Sequence, residues 1–256
     1  MNSIKAEKII RNNLNQVAGD FFMKKEILPG EIKGVKIEVI TLGGNHYIKE
    51  VASADRYDVL YLMDGKVTID VPGEKYNMAT NCIARIPFNM PYVISAKKKN
   101  RAHFLRLIKS MDKNDLKVIS ENSDEHSKIF IRAFEDCPVY TEEIKSSKSL
   151  NRMLLPEGKV PRFCMGSVET DGPDEVAEHE HPMLDQLFLG LKDCRCTCRA
   201  DGKSKLLTEN MMLHVPLGSK HTVYVTGGEK LAYIWFDFFL TLDGQEYMHK
   251  QHHMDK

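Results

Sequence analysis

Short strand-like runs broken by turn residues fill most of the sequence from residue 34 to about residue 240, and they limit the possible folds more than any other feature. The runs include VKIEVITLGG, DVLYLMDGKVTIDVPGEK, HFLRLI, LDQLFLGL, HTVYVTGG and KLAYIWFDFF. Asp-Gly, Pro-Gly and Gly-Gly pairs separate many of them. Strands of about four to eight residues with such turns are typical of antiparallel sandwiches and barrels. The sequence therefore predicts an all-β fold.

The segment before these runs has a different pattern. Its apolar residues follow mostly helical spacing, with Asn and Lys between them: Ile4, Ile9, Ile10, Leu14 and Val17. This spacing predicts one short amphipathic helix over residues 3–17.

The chain also divides into two similar halves. The polar stretch SMDKNDLKVISENSDEHS, residues 110–127, predicts a connection between domains 1–125 and 126–256, with a short helix in its middle. The run QLFLGLKD from Gln186 aligns with DVLYLMDG from Asp58, and VP at 215–216 aligns with IP at 86–87. Gln186 precedes His221 by 35 residues, and Asp58 precedes Tyr92 by 34. An internal repeat of a β-barrel unit explains this agreement.

Composition excludes several classes of partner. The 256 residues carry 36 basic and 36 acidic side chains, so no net field favours nucleic acid or an anionic membrane. No apolar run has the length of a secretory signal core or of a membrane span. The six cysteines form no C-x-x-C pair, which favours a reducing compartment. We expect a soluble, cytoplasmic protein whose partner is a small molecule.

The run EHEHPMLDQLFLG contains the most informative chemistry. His179 and His181 are two residues apart on an extended segment, so their side chains share one face. Gln186 follows beyond a Pro-containing turn, and PLGSKH supplies His221 after a second turn. Three imidazoles and one side-chain oxygen could close on one cation. A one-residue shift in register would offer Asp185 in place of Gln186, and a third interpretation is three unrelated histidines on strands.

H-x-H-x4-Q followed by P-x-G-x-x-H, on β-rich sequence, resembles the two motifs of the cupin superfamily, and the duplicated layout resembles a bicupin. The resemblance implies tandem jelly-roll barrels, a homodimer, and a divalent transition metal such as Mn, Fe, Ni or Zn. The family's ligand positions fall on His179, His181, Gln186 and His221. The commonest family pattern has Glu at the position of Gln186, although some cupins with non-redox chemistry carry Gln.

The first half serves as an internal comparison. The same offsets place Val51, Ser53, Asp58 and Tyr92 at the four ligand positions. These side chains cannot form a nitrogen-rich transition-metal site. The N-terminal barrel is therefore predicted to be structural, or to contribute to the dimer interface and the pocket wall.

Neutral ligands indicate the kind of reaction. Three imidazoles and an amide leave a divalent cation with its full charge, which favours Lewis-acid chemistry over redox chemistry. The sequence predicts a metal-dependent isomerase, lyase or hydrolase acting on a small polar metabolite such as a keto, sugar or ureido acid. The alternatives are an Fe(II)-dependent dioxygenase and a non-catalytic, ligand-binding bicupin.

Acid or base residues are expected on strands beside the ligands. The candidates are Glu169, Arg162, His214 and Tyr224, with Tyr233 or Asp237 as further possibilities. Arg162 is a candidate because a substrate carboxylate needs a cationic partner.

Two other runs are predicted to have no role at the site. In CRCTC, Cys194, Cys196 and Cys198 alternate along a strand, which suits small buried side chains better than a thiolate metal cluster or a redox sensor. The C-terminal run MHKQHHMDK, residues 248–256, is expected to be a solvated tail.

Overall fold

The protein forms two compact units. The first unit contains residues 10–136, and the second contains residues 1–9 together with 137–256. The structure, a computed structural model, describes residues 3–9, 21–96, 101–250 and 253–254. Most of these residues lie in strands, which confirms the all-β prediction. Within the described ranges, none of the helices has both the length and the apolar character needed to cross a bilayer.

The described residues up to 136 form ten strands, two helices and a short 3-10 turn. In chain order they are β1 (Lys5–Lys8), β2 (Phe21–Ile27), β3 (Val35–Gly43), β4 (Tyr47–Glu50), β5 (Arg56–Val71), β6 (Glu74–Ala79), β7 (Cys82–Arg85), β8 (Tyr92–Ser95), β9 (Arg101–Ser110), α1 (Lys113–Glu121), α2 (Ser123–Ser127), β10 (Phe130–Ala133) and the turn Phe134–Asp136.

The long strand β5 organises the first unit. Its first part pairs with β7 and β9, and its second part pairs with β6 and β8, so one strand serves both sides of a jelly-roll barrel. Gly65 lies where the partners change and has a φ of 94°. A Cβ at this position would lie 1.8 Å from the carbonyl oxygen of Arg101. Only glycine fits this crossing without moving the backbone.

The predicted connection between the halves is an integral part of the first unit. Asp112 caps α1 by accepting hydrogen bonds from the backbone of Asn114 and Asp115. The fully buried Arg85 donates to the carbonyl oxygens of Glu125, at 3.0 Å, and Lys128, at 2.6 Å, which attaches the end of α2 to the barrel. The division between the units accordingly falls after residue 136, later than the expected boundary at 125/126.

After residue 136, the part of the chain that the structure describes forms eleven further strands and one helix. They are β11 (Tyr140–Thr141), β12 (Leu150–Val160), β13 (Phe163–Asp171), β14 (Asp174–His179), β15 (Leu184–Gly190), β16 (Arg195–Ala200), β17 (Lys203–Thr208), β18 (Met211–Val215), β19 (His221–Val225), β20 (Lys230–Phe239), α3 (Leu242–His249) and β21 (His253–Met254).

Two sheets enclose the core of the second unit. One has the order β1-β18-β15-β20-β13-β12 and the other β14-β19-β16-β17. Cys196 and Cys198 from the second sheet join Phe188 and Tyr233 from the first in one buried cluster. The alternating cysteines are thus small core residues, and all six cysteines are free thiols.

The N-terminal segment differs from the sequence expectation. Residues 5–8 form β1 rather than a helix, and residues 10–17 of the predicted helix lie outside the described residues. β1 pairs antiparallel with β18, and the backbone N–H of Ile9 donates to the carbonyl of Asn210 at 2.7 Å. Ile4 and Ile9 are 4% and 1% exposed. Pairing with the edge of β18 and burial of both isoleucines override a spacing that also suited a helix.

Candidate metal centre

Three histidines meet at one end of the second barrel. His179 ends β14 and pairs across the sheet with His221, the first residue of β19. His181 lies in the turn that follows, where its carbonyl accepts the backbone N–H of Gly218 at 3.2 Å. The potential ligand atoms of the three histidines all lie within 4.8 Å of one another. Strand register and one turn contact thus bring together residues that are 42 positions apart in the sequence.

Backbone hydrogen bonds fix the tautomers of two of these histidines. Nδ1 of His179 lies 2.6 Å from the carbonyl oxygen of Ala177, and Nδ1 of His221 lies 3.0 Å from that of Ser219. A carbonyl only accepts, so each Nδ1 carries the proton and each Nε2 presents a lone pair. In the described part of the chain, Nε2 of His221 is buried and accepts no hydrogen bond. This is the arrangement that a metal-binding imidazole requires.

Burial also keeps these rings neutral. It lowers the pKa of His221 to about 4, and the nearby His179 adds to this effect. Burial likewise lowers the pKa of His179. Neutral imidazole is the form that binds a metal.

Gln186 completes the set from β15. Its Nε2 donates to Oδ1 of Asp237 at 2.9 Å, which fixes the orientation of the amide because a carboxylate only accepts. The amide oxygen Oε1 is buried and has no hydrogen-bond partner among the described residues. A buried acceptor without a partner is costly, and a cation bound beside the histidines would satisfy it.

The donor set fits a divalent cation. Two ligands of one ion lie at most about twice the roughly 2.1 Å bond length apart. The 4.8 Å limit on the nitrogen separations therefore requires only small movements to reach one ion. Imidazole nitrogens with one oxygen suit Mn, Fe, Ni and Zn alike.

Asp185 does not share this position. It neighbours Gln186 on β15 and therefore faces the other side of the sheet. Its Oδ1 accepts the backbone N–H of Leu217 at 2.9 Å and lies 3.3 Å from Nε2 of His214. Gln186 lines the cavity beside the histidines, whereas Asp185 supports the turn that leads to His221.

The four candidate acid/base residues lie outside the cavity. Glu169 forms an ion pair with an arginine on the neighbouring strand, and Arg162 binds a backbone carbonyl beyond β20. His214 contacts Asp185, and Tyr224 follows an inward-facing residue of β19. Strand alternation turns the side chains of His214 and Tyr224 away from the site. Arg162 occupies a turn with a φ of 55° at the start of β13.

The cavity wall comes from β20, from apolar residues on other barrel strands (Val176, Phe188 and Val223), and from segments outside the strands. The cavity has about 370 Å³ of empty space, including its open mouth. Tyr233, Trp235 and Asp237 project into it from alternate positions of β20. Tyr233 and Asp237 are the two further candidates that the sequence suggested, and no periodic pattern marks the wall residues that lie outside the strands.

The C-terminal run and the segment before β12 also contribute to this cavity. Met248 of α3 is 4% exposed and lines it, so the start of the expected solvated tail is packed. Glu142 and Lys145, from the polar segment between β11 and β12, line it as well. No signal in the sequence marks these three residues, because the position of each depends on how a connection folds over the barrel.

The first unit has a cavity at the corresponding positions. Val51, Ser53, Asp58 and Tyr92 all line it, as the repeat alignment placed them. Here the hydroxyl of Tyr92 donates to Asp58, and Arg106 donates to Asp58 at 3.0 Å. A guanidinium that is part of the chain thus supplies positive charge beside the position that corresponds to Gln186.

Arg106 holds a wider cluster together. It lies 2.6 Å from Oε1 of Glu50 and 3.6 Å from Oε2 of Glu38, and its side chain is 3% exposed. Arg56 donates to Glu50 at 3.0 Å. An ion-pair network of carboxylates and guanidinium groups thus lies beside the cavity of this unit, while apolar side chains such as Leu60 and Ile94 fill its core.

No protein-family model matches the chain, and no curated protein matches it. Solved structures resemble it over most of its length. A protein of Pseudomonas aeruginosa named as glyoxylate-induced has a TM-score of 0.72 and 14% identity, covering 87% of this chain and 84% of its own. A cupin 2 conserved barrel domain protein of Leptotrichia buccalis has a TM-score of 0.60 and 17% identity, with 91% and 97% covered.

Oxalate decarboxylase of Bacillus subtilis resembles the chain to a similar degree. Its TM-score is 0.62 at 13% identity, with 92% of this chain and 78% of that chain covered. At these identities the likeness concerns architecture. The chain has the fold of the cupin proteins.

Proposed function

We propose that this protein is a metal-dependent enzyme that uses a divalent cation as a Lewis acid on a small polar metabolite. The substrate would be a keto, sugar or ureido acid, and the reaction an isomerisation, elimination or hydrolysis. His179, His181, Gln186 and His221 would hold the cation.

One observation carries this proposal. Nε2 of His221 and Oε1 of Gln186 are both buried acceptors without a hydrogen-bond partner among the described residues, and both residues line the same cavity. Native proteins leave few such groups unsatisfied. In each side chain the opposite nitrogen is held by a hydrogen bond, from the imidazole to Ser219 and from the amide to Asp237. These contacts leave Nε2 of His221 and Oε1 of Gln186 facing the cavity as acceptors. A cation would satisfy both atoms at once.

The bound cation would supply Lewis-acid polarisation of a substrate carbonyl. The protein's own residues would bind and shield that substrate. Burial raises the pKa of Tyr233 well above that of a free phenol, so its hydroxyl keeps its proton and can donate to charge that develops on a substrate oxygen. Val176 and Phe188 give the cavity an apolar side, which limits access of water to the reacting atoms.

Metal analysis of the purified protein tests the proposal first. The protein, prepared without added metal, is expected to contain about one equivalent of a transition metal, because the described residues offer one such set of four ligands. A His179→Ala/His221→Ala variant should lose the metal. His249→Ala is the matched control, since this histidine side chain is 62% exposed and pairs with Glu157.

Turnover of keto, sugar and ureido acids would then be measured with and without the metal, together with oxygen uptake. Oxygen consumption by an iron-loaded protein would favour the Fe(II) dioxygenase alternative. A protein that binds no metal, or a double variant with full activity, would contradict the proposal and favour a ligand-binding role.

We further propose that both units are cupin barrels, which makes the protein a bicupin, and that it is a cytoplasmic homodimer. The corresponding cavities of the two units support the duplication. Sedimentation analysis of the full chain would test the dimer.

A further inference from the structure

A buried ion pair lies in the wall of the metal cavity, away from the four proposed ligands. Nζ of Lys145 is 2.7 Å from Oε2 of Glu142, and the two side chains are only 6% and 8% exposed. Both residues line the cavity that contains the histidines. Burying such a pair usually stabilises a fold no better than apolar side chains would. Its place beside a candidate metal centre therefore favours a binding role.

Aromatic groups hold the ammonium of Lys145 in place. Nζ donates to the hydroxyl of Tyr140, which also accepts the indole N–H of Trp235 at 3.1 Å. Nζ lies 4.5 Å from the ring centroid of Tyr140 and 5.5 Å from that of Trp235, within the range of cation–π attraction. An ammonium has three N–H donors. The contacts to Glu142 and Tyr140 use two, so a third donor is available to a ligand in the cavity.

The charges in the cavity select the ligand. The four proposed metal ligands are neutral, and the charges of Lys145 and Glu142 cancel. The carboxylate of Asp237 offsets half the charge of a divalent cation, so one positive charge remains for the ligand to balance. Part of the empty space of about 370 Å³ is open solvent at the mouth, so the enclosed part holds only a ligand of few atoms.

We propose that Lys145 binds the carboxylate of the substrate, and that the substrate is a small monocarboxylate whose other end reaches the metal. This inference rests on the proposed function and narrows its substrate class. It gives Lys145 the role that the sequence suggested for Arg162. Glu142 then holds the ammonium in position until the ligand arrives.

Pyruvate and its neutral amide, pyruvamide, are the probes that test this role, because they share a shape and differ in charge. Their binding to the zinc-loaded full chain would be measured by titration calorimetry, with Trp235, the only tryptophan, as a fluorescence reporter. Pyruvate is expected to bind about tenfold or more tightly than pyruvamide, because a charged hydrogen bond is lost in the amide. Lys145→Gln should remove this preference while zinc content stays unchanged.

Two further variants make the result decisive. Lys148→Gln removes an exposed lysine of the same segment and should keep the preference for pyruvate. Glu142→Gln/Lys145→Gln removes both charges of the pair, avoids an unpaired buried carboxylate, and should fold and lower the preference, because only the charge left on the metal then attracts the carboxylate.

Several results would overturn the inference. They are a zinc-loaded protein that does not bind pyruvate, one that binds both probes equally, and a Lys145→Gln variant that keeps the parent preference. A parent that takes up no zinc would instead refute the proposed metal function. The dependence of pyruvate binding on Lys145 would then be decided on the metal-free protein.

Discussion

Asp237→Asn changes one charge at the candidate metal centre and almost nothing in shape. In the native protein Oδ1 of Asp237 accepts the Nε2 hydrogen bond of Gln186 at 2.9 Å, and the two residues are 3% and 7% exposed. This contact directs the amide oxygen of Gln186 toward the metal site. The substituted amide can accept or donate, so it no longer imposes one orientation on Gln186.

The expected loss follows from the strength of this contact. A hydrogen bond to a charged group contributes about 1.5–3 kcal/mol, against about 0.5–1.5 kcal/mol for a neutral pair. The variant should therefore lose roughly 1.4 kcal/mol of its preference for the ligating orientation, which is about tenfold in the metal dissociation constant. Loss of a carboxylate near the cation acts in the same direction. The total agrees with the roughly 10–100-fold effect of removing partners that orient metal ligands.

Competition for zinc against a coloured chelator would measure this constant. Asp185→Asn is the matched control, because Asp185 is the neighbour of Gln186 on β15 but faces the other side of the sheet. The control should bind zinc with the parent affinity. Zinc binding by Asp237→Asn as tight as that of the parent would refute the orienting role of Asp237, and so would weaker binding by Asp185→Asn alone.

Three further predictions concern stability. Zinc at a hundred times its dissociation constant should raise the free energy of unfolding by about 2.7 kcal/mol. Calorimetry should detect this increase, a chelator should reverse it, and the His221→Ala variant should not show it. Arg106→Met should lower the free energy of unfolding of the first unit, measured in urea, by about 3–5 kcal/mol, because it leaves buried carboxylates uncompensated. The double variant Arg106→Met/Asp58→Asn should regain part of that stability. A loss below about 1 kcal/mol would contradict the role of the cluster. Gly166→Ala would place a Cβ 2.3 Å from the indole of Trp235, so it should destabilise the second unit by about 1–3 kcal/mol and shift the tryptophan fluorescence, and an unchanged spectrum would contradict that contact.

Local spacing predicted which residues would meet at the candidate site. His179 and His181 share a face because strand side chains alternate, and Gln186 and His221 follow turns whose signals are visible in the sequence. The same offsets placed Asp58 among the residues that line the cavity of the first unit. These relations need only strand geometry and short connections, which sequence patterns encode directly.

Contacts made by the connections could not be predicted in this way. Lys145 and Met248 reach the cavity because a polar segment and the final helix fold over the barrel, and neither has a periodic pattern that reports its partner. The spacing of Ile4 and Ile9 suited a helix, but residues 5–8 form a strand because they pair with the open edge of β18. In both cases distant partners, absent from any local pattern, determine the outcome.

The ion cluster around Arg106 has a consequence for how the two units depend on their surroundings. Its cation is covalently part of the chain, so it cannot be exchanged for another, removed by a competing chelator or left out when the protein is made. The proposed centre of the second unit would instead depend on the supply of metal at synthesis. The ion cluster of the first unit would thus form whatever metals the cell contains, whereas the metal bound by the second unit would depend on which metals are available.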